Sequence, residues 1–329
     1  MTLINLNSSK IYSRILLQRN FYLGVAMLLI LFFHLFYGYK LQPWKAVFSR
    51  GFYGVDIFLF FSAFGLCYSY NKNSLSNFYK NRAKRVLPFF ITLAIFRIMW
   101  YVCHGNTISI WEVFATLTGL SYFIVLGGIW VDWYLCALLI LYAIFPVTYR
   151  FIKKYSWGGV ILVSIISSLI CLMIPLNWEH ACLIGRLPVF CYGVLFNFII
   201  VSKEINMNRL VFVLLCIYGL MLFSVDVLYP NGRTRFLAPS FIAPIMIIVI
   251  TLLYNIIDKN ASILRGFINS IGKHSLEIYI ANCFSLYFCH EQGLDLSGYS
   301  GALTELVMIA AITPILYIFN KSITFQIFK

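Results

Sequence analysis

Apolar runs of about twenty residues recur along the whole length of this chain. A run of that length, wound as an α-helix, crosses the ~30 Å hydrocarbon core of a bilayer. Charged residues make up only 11% of the 329 residues, whereas a soluble domain carries roughly 25%. The loops between the runs are short and leave no room for a soluble domain. The sequence therefore predicts an all-α, polytopic membrane bundle that forms a single domain over residues 1–329.

Ten of these runs are predicted to cross the membrane. Their bounds are roughly 20–39, 52–70, 87–103, 130–149, 157–176, 183–201, 210–229, 236–257, 273–290 and 301–319. The segment 111–128 is apolar as well, but its ends are poorly marked and counting it as a span disturbs the distribution of charge. We interpret this segment as an interfacial or re-entrant stretch.

The distribution of basic residues predicts the orientation of the bundle. With the amino terminus inside, the cytoplasmic segments hold 18 of the 25 Lys and Arg residues and the external loops hold five. This is a positive-inside bias, so both termini are expected in the cytoplasm. The net charge of +14 lies mainly in loops between the spans, which indicates contact with a lipid bilayer and argues against a nucleic-acid partner.

Several common catalytic patterns do not occur in the sequence. The nine cysteines are scattered and form no C-x-x-C pair, and we expect no metal site. The sequence also has no Gly-rich phosphate loop and no G-x-S-x-G nucleophile elbow.

An acid and a histidine are predicted at matched depth in the first two spans. Asp56 lies about 6 Å into the second span and His34 about 7.5 Å from the end of the first, at 1.5 Å per residue. Consecutive antiparallel helices are usually neighbours. A carboxylate that accepts a hydrogen bond from one imidazole nitrogen leaves the other nitrogen basic, ready to take a proton from a hydroxyl. The alternative is a bond that only holds two helices together.

Further polar groups fall inside the predicted spans. Asp132 begins the fourth span, Arg186 begins the sixth, and Arg97 lies past the middle of the third. Charges within a membrane tend to face polar cavities or to pair with one another, and both remain open here. In the ninth span a polar stripe follows i, i+4, i+7 spacing, which suits either a channel lining or contact between helices. The stripe consists of Ser275, Tyr279 and Asn282.

A basic cluster precedes Pro88 at the predicted cytoplasmic face. It consists of Lys80, Arg82, Lys84 and Arg85. On a helix, Arg82 and Arg85 share a face, and two guanidiniums at that spacing can hold phosphate oxygens. The alternative is orientation signalling with contact to lipid headgroups.

Together these residues resemble the membrane acyltransferase 3 family, bacterial polytopic enzymes that O-acetylate surface glycans and similar acceptors. The matching stretches are Asn20–Leu29 with His34, Gly54–Phe58 with Ser62, the Arg82/Arg85/Pro88 run, Asp132–Leu135 with Tyr142 and Pro146, Arg186–Phe190 with Gly193, and Ser275–Tyr279. Each motif is weak alone, but six in the same order are fairly specific and cover nearly the whole chain.

The resemblance implies a reaction and a place for it. His34 takes the position of the family's catalytic histidine, and Arg82 and Arg85 take that of paired arginines implicated in handling acyl-CoA on the cytoplasmic side. The implied donor is acyl-CoA, most often acetyl-CoA, the implied acceptor is a glycan hydroxyl, and the implied location is the bacterial plasma membrane. The sequence leaves a second copy of the chain, or proteins of a polysaccharide pathway, as further partners.

The prediction for the mechanism follows from that assignment. His34, oriented by Asp56, deprotonates the acceptor hydroxyl or receives the acyl group. Because the basic cluster and His34 lie on opposite sides of the membrane midplane, we predict a polar tunnel lined by Ser275, Tyr279 and parts of the first helix. The residues predicted to line the cavity are Arg19, Arg97, Asp132, Trp133, Arg186, Ser275, Tyr279 and Asn282.

The sequence departs from the family pattern at two positions. Family members commonly carry an arginine eleven residues before the histidine, where this chain has Leu23. Arg19 lies one turn earlier and either substitutes for that arginine or leaves its function lost. The ninth helix often has a histidine where this chain has Asn282. Two alternatives to the enzyme therefore stay open: a transporter or exporter of a glycan or small solute, and a non-catalytic relative.

Overall fold

The chain is mainly helical over the residues that the computed structural model describes, and these residues form no β-strand. These residues are 8–38, 40–41, 43–124, 132–230, 232–291 and 298–327. The α-helices are α1 (Ser8–Phe32), α2 (Trp44–Phe48), α3 (Gly54–Lys72), α4 (Leu75–Cys103), α5 (Ile110–Thr118), α6 (Ser121–Ile124), α7 (Trp133–Met173), α8 (Trp178–Ile184), α9 (Leu187–Asn197), α10 (Arg209–Leu228), α11 (Ala238–Asn260), α12 (Ser262–Lys273), α13 (Ser275–Glu291) and α14 (Gly298–Ile327). Short π-helical or 3-10 segments cover Phe33–Gly38, Gly51–Tyr53, Phe198–Ser202 and Arg233–Phe236.

Eight helices in the described part of the chain are long and apolar enough to cross a membrane. They cover Gln18–Phe36, Gly51–Lys72, Leu75–Cys103, Trp133–Met173, His180–Ser202, Arg209–Leu228, Ala238–Asp258 and Gly298–Phe319. Each overlaps a predicted span, so the all-α, polytopic membrane fold is confirmed. The count of ten and the cytoplasmic position of both termini stay predictions. The predicted span ends at Tyr39 and at 130, and the chain ends at 1–7 and 328–329, lie outside the described residues.

The fourth and fifth predicted spans both lie within α7. The helical backbone is interrupted at Ser156, whose φ of 53° and ψ of −131° are not helical, so α7 consists of two helices that correspond to these two spans. The chain reverses its direction between them, because the ring of Trp133 at the start of α7 lies 6.2 Å from that of Trp178, which follows shortly after its end. The ninth span corresponds to α13, which has 17 residues and a length of about 26 Å.

The apolar segment 111–128 does not form a spanning helix where it is described. It forms α5, of nine residues, and α6, of four. Gly119 separates them with a φ of +77°, a left-handed conformation that commonly ends a helix and that glycine adopts without strain. Neither helix approaches the ~20 residues that a transmembrane helix needs. Residues 125–128 lie outside the described part of the chain.

The core of the bundle surrounds α3. Of the eight candidate spans, α3 is the most buried, with 78% of its most apolar window buried inside the protein, and the span that contains α9 follows with 67%. Buried apolar residues of α1, α3, α7 and α9 form one continuous cluster. A charged group on α3 therefore has to find its partner within the protein.

The part of α1 around Asn20 and Gly24 packs very closely against α12, a helix in the predicted loop between the eighth and ninth spans. Gly24 and Gly272 permit this approach. A Cβ atom added at Gly272 would lie 1.7 Å from the carbonyl oxygen of Asn20, and one added at Gly24 would lie 2.0 Å from that of Ile268. Small residues let the backbones of neighbouring helices in a membrane meet in this way.

We expect Gly272→Ala to destabilise the protein by at least about 1–3 kcal/mol, because the new methyl group must push two backbones apart. Gly266→Ala is the matched control, since it lies on the same helix with open space around its Cβ position. There the substitution should be neutral or stabilising by about 0.5–1 kcal/mol. The measurement is the apparent Tm in detergent, and equal Tm values for the two variants would contradict the close crossing.

Candidate functional site

A cavity of about 370 Å³ lies among α1, α3, α4, α7 and α13. We name it the inner cavity, because its lining includes the basic residues predicted at the cytoplasmic face. It is lined in part by Arg19, Ser69, Arg82, Arg85, Ser275 and Tyr279. The structure thus brings together the two arginines of the basic cluster with one predicted lining residue of α1 and two of α13.

Three guanidiniums contribute to the inner cavity, and its lining contains no Asp or Glu within the part of the chain that the structure describes. The α4 helix begins after Ser74, whose hydroxyl accepts a hydrogen bond from the backbone N–H of Asn77. About two turns later this helix presents Arg82 and Arg85 on a shared face, as the spacing predicts. Arg82 also donates a hydrogen bond of 3.2 Å to the hydroxyl of Ser69 at the end of α3. A cavity with this charge favours an anionic ligand.

A second cavity of about 120 Å³ lies at the other end of α1. We name it the outer cavity. It is lined in part by His34, Phe52, Trp133, Trp178, Arg186 and Arg235. His34 belongs to the π-helical segment Phe33–Gly38 that continues α1, and such segments occur frequently at functional sites.

His34 is held by a chain of hydrogen bonds from two other helices. Its Nδ1 lies 2.5 Å from Oδ1 of Asn282 on α13. The amide of Asn282 in turn donates a hydrogen bond of 2.6 Å to Oε1 of Glu305 on α14. Because the amide nitrogen is used by Glu305, the amide oxygen is the acceptor and Nδ1 of His34 carries the proton. Nε2 is then the nitrogen with a free lone pair, as a general base requires.

The predicted partner of His34 was therefore wrong. Asp56 is fully buried and pairs with Arg186, whose Nε lies 3.4 Å from Oδ1 of Asp56. No hydrogen bond joins Asp56 to His34 among the described residues. The prediction relied on equal depth alone, and depth does not determine the direction in which each helix points its side chains. Arg186 also lies over the ring of Trp133, 4.8 Å from its centroid.

Tyr279 stands between the two cavities. Of the described residues that line them, it alone belongs to both. Its hydroxyl lies 3.1 Å from each carboxylate oxygen of Asp132 and donates to that group. Asp132 also caps α7 by accepting a hydrogen bond of 3.0 Å from the backbone N–H of Leu135. The structure therefore shows two separate cavities that share one lining residue, and a continuous polar tunnel stays a prediction.

The remaining predicted lining residues separate into two groups. Asp132 and Asn282 are buried and hold Tyr279 and His34, respectively, but line neither cavity themselves. Arg97 was predicted at a cavity but lies over the ring of Tyr287, 4.5 Å from its centroid, and lines neither of the two. A polar residue within a predicted span can therefore contact a neighbouring helix without lining a cavity.

The departure at Leu23 also has a structural explanation. Leu23 and Arg19 both line the inner cavity from α1, one helical turn apart. The guanidinium of Arg19 therefore reaches the same cavity that an arginine at position 23 would reach. This supports substitution by Arg19 over loss of that charge.

Two buried acids were missed in the sequence analysis. Glu305 anchors the chain that holds Asn282. Asp226 on α10 accepts from Tyr53 at 3.1 Å and pairs with Arg50, whose Nε lies 2.6 Å from Oδ2. The signal that singled out Asp56, an acid within an apolar run, would have found both residues.

Comparison with known proteins places this arrangement in a class of membrane enzymes. The sequence profile described as an acyltransferase domain matches residues 24–321 of the chain. The chain therefore belongs to the acyltransferase 3 family, and it is a multi-pass membrane acyltransferase. The comparisons with curated proteins and with solved structures gave no significant match.

The pairing of Asp56 with Arg186 predicts strong coupling between the two residues. We expect Asp56→Ala to destabilise the protein by about 3–5 kcal/mol, because it leaves a buried guanidinium without its counter-charge. The double variant Asp56→Ala/Arg186→Met should be less destabilised than the sum of the two single variants. Apparent Tm values in detergent provide the measurement.

The control for this cycle is the exposed pair of Lys153 and Glu204, whose charged atoms lie 3.0 Å apart. Glu204→Ala should change stability by no more than about 1 kcal/mol, as is usual for surface ion pairs. Additive effects of the Asp56 and Arg186 substitutions would show that the two groups do not form an ion pair.

Proposed function

We propose that this protein transfers a short acyl group, most simply acetyl, from cytoplasmic acyl-CoA to a hydroxyl of a cell-surface glycan or its precursor in a bacterial plasma membrane. The observation that carries the proposal is the meeting of two cavities at Tyr279. One cavity is lined by three guanidiniums and the other contains an oriented imidazole. Together they provide a donor side and an acceptor side within one bundle.

The inner cavity suits the anionic part of the donor. CoA carries a diphosphate and a 3′-phosphate, and guanidiniums bind phosphate oxygens through paired, charge-assisted hydrogen bonds. Arg19, Arg82 and Arg85 would hold these phosphates. The pantetheine arm would then extend along α1 and α13 toward Tyr279, and Ser275 lies on that route as a cavity-lining residue.

In the proposed reaction, His34 accepts the proton of the acceptor hydroxyl. The acceptor oxygen attacks the thioester carbonyl carbon, so that a C–O ester bond forms and the C–S bond breaks. The hydroxyl proton passes to Nε2 of His34 and then to the departing sulfur, which leaves as the thiol of CoA. Asn282 holds Nδ1 throughout, and Glu305 holds Asn282, so the ring keeps the tautomer that this step needs. Asp56 serves the site through Arg186 rather than through the histidine.

The outer cavity suits a sugar as acceptor. Its lining combines aromatic side chains with guanidiniums, among them Trp133, Trp178 and Arg235. Ligand sites typically pair apolar walls with a few polar groups that fix orientation. A sugar ring presents apolar C–H faces together with hydroxyl groups, so this lining complements it.

The first test concerns the histidine. Purified protein in lipid nanodiscs is incubated with acetyl-CoA and a glycan-containing membrane extract of the expressing bacterium, and the released CoA thiol is measured. His34→Ala should lower the rate by about 10²–10⁴-fold, the usual contribution of a general base. His104→Ala is the control, because this histidine is exposed and lines neither cavity. Binding of acetyl-CoA without thiol release by the unaltered protein would favour a transporter or a non-catalytic relative.

The second test concerns the arginines. Arg82→Gln and Arg85→Gln should each raise the KM for acetyl-CoA by at least about tenfold, because each removes a charge-assisted contact to phosphate. Lys80→Gln removes a positive charge from the same helix, but Lys80 is exposed and does not line the cavity. Its KM should stay near that of the unaltered protein. A similar rise in KM for all three variants would contradict a specific phosphate site, because it would indicate that the basic residues only attract anions to the membrane surface.

A further inference from the structure

We propose that Tyr279 sets the length of the acyl group that this enzyme transfers, by restricting the route between the two cavities to a short chain. The proposal rests on the donor role suggested above for the inner cavity. Tyr279 would determine donor specificity, and the donors would be acyl-CoA thioesters whose acyl group has only a few carbon atoms.

The two cavities are separated by very little protein. On α3 the outer cavity is lined by Val55 and the inner cavity by Phe58, three residues or about 4.5 Å apart along the helix. On α7 the neighbouring residues Trp133 and Tyr134 line the outer and the inner cavity, respectively. Tyr279 faces both cavities and is only 4% exposed. Its ring is therefore the shared wall.

The ring of Tyr279 is held firmly in this position. Its hydroxyl is bonded to Asp132, which is itself fixed at the start of α7 by the backbone N–H of Leu135. The ring also meets that of Tyr134 edge to face, with centroids 5.1 Å apart. A ring fixed at both its tip and its face cannot move aside for a larger group without breaking these contacts.

The acyl chain is the part of the donor that meets this wall first. In a thioester the chain projects beyond the carbonyl carbon, away from sulfur and CoA. To bring the carbonyl near His34, the chain must pass Tyr279 and enter an outer cavity of about 120 Å³. The acceptor hydroxyl needs part of that space as well. A methyl group fits these limits, whereas each further methylene competes with the ring of Tyr279 or with the acceptor.

The experiment compares kcat/KM for acetyl-, butyryl- and hexanoyl-CoA, measured as released CoA thiol with the same membrane extract as acceptor. The unaltered enzyme should prefer acetyl-CoA. Tyr279→Ala removes the wall and should raise the ratio of kcat/KM for hexanoyl-CoA to kcat/KM for acetyl-CoA by at least about tenfold. A few methylene groups in a pocket produce discrimination of this size. Tyr279→Leu, which is less disruptive to packing, should raise it by a smaller factor.

Two further variants distinguish the size of the Tyr279 side chain from the loss of its hydrogen bond and from a general enlargement of the inner cavity. Tyr279→Phe keeps the ring but loses the bond to Asp132, and it should keep the preference for acetyl-CoA. Tyr142→Ala enlarges the inner cavity away from the shared wall, and it should leave the ratio unchanged even if all rates fall. Size-exclusion profiles and apparent Tm values identify any variant that fails to fold, and Tyr279→Leu then replaces Tyr279→Ala in the comparison.

The inference is overturned if the unaltered enzyme uses hexanoyl-CoA as well as acetyl-CoA. It is also overturned if Tyr279→Ala and Tyr279→Leu leave the ratio unchanged, or if Tyr279→Phe changes it as much as they do. These outcomes leave the proposed acyl transfer intact. If the unaltered protein binds no acyl-CoA and releases no thiol from any donor, the proposed function fails instead, and this inference fails with it.

Discussion

The outer half of this bundle depends on the pairing of buried carboxylates with donors from other helices. A charge inside a membrane protein is tolerated only when a nearby group compensates it. Asp56 meets Arg186, Asp132 meets Tyr279, and Glu305 meets Asn282. Asp226 meets Arg50 and Tyr53. Each pair joins two different elements of the bundle, so the pairs help to fix how the helices face one another.

Three of these pairs also orient the side chains of the candidate site. Glu305 fixes Asn282, and Asn282 determines which nitrogen of His34 keeps its proton. Asp132 holds the ring between the two cavities. Asp56 holds Arg186, which then lies over Trp133 in the outer cavity. Support of this kind lets a site keep its geometry when substrate enters, because the functional groups are locked by their neighbours.

The sequence predicted the apolar spans and one shared helix face, but it did not predict the partner of His34. The length of apolar runs gave the spans, and the spacing of Arg82 and Arg85 gave a shared helix face that lines the inner cavity. The partner of His34 could not be predicted in the same way, since it depends on the rotation of each helix about its axis. The unpredicted helix α12 illustrates the same limit, because its packing on α1 depends on two glycines far apart in the sequence.

The charge of the inner cavity has a consequence for discrimination among cellular nucleotides. Guanidiniums recognise phosphate groups by charge and geometry, and they do not by themselves distinguish one polyphosphate from another. If the proposed donor binds here, nucleoside triphosphates and free CoA would compete with it for Arg19, Arg82 and Arg85. Under that proposal, discrimination between these ligands would depend on the outer cavity, where only a thioester would meet the aromatic rings and the imidazole of His34.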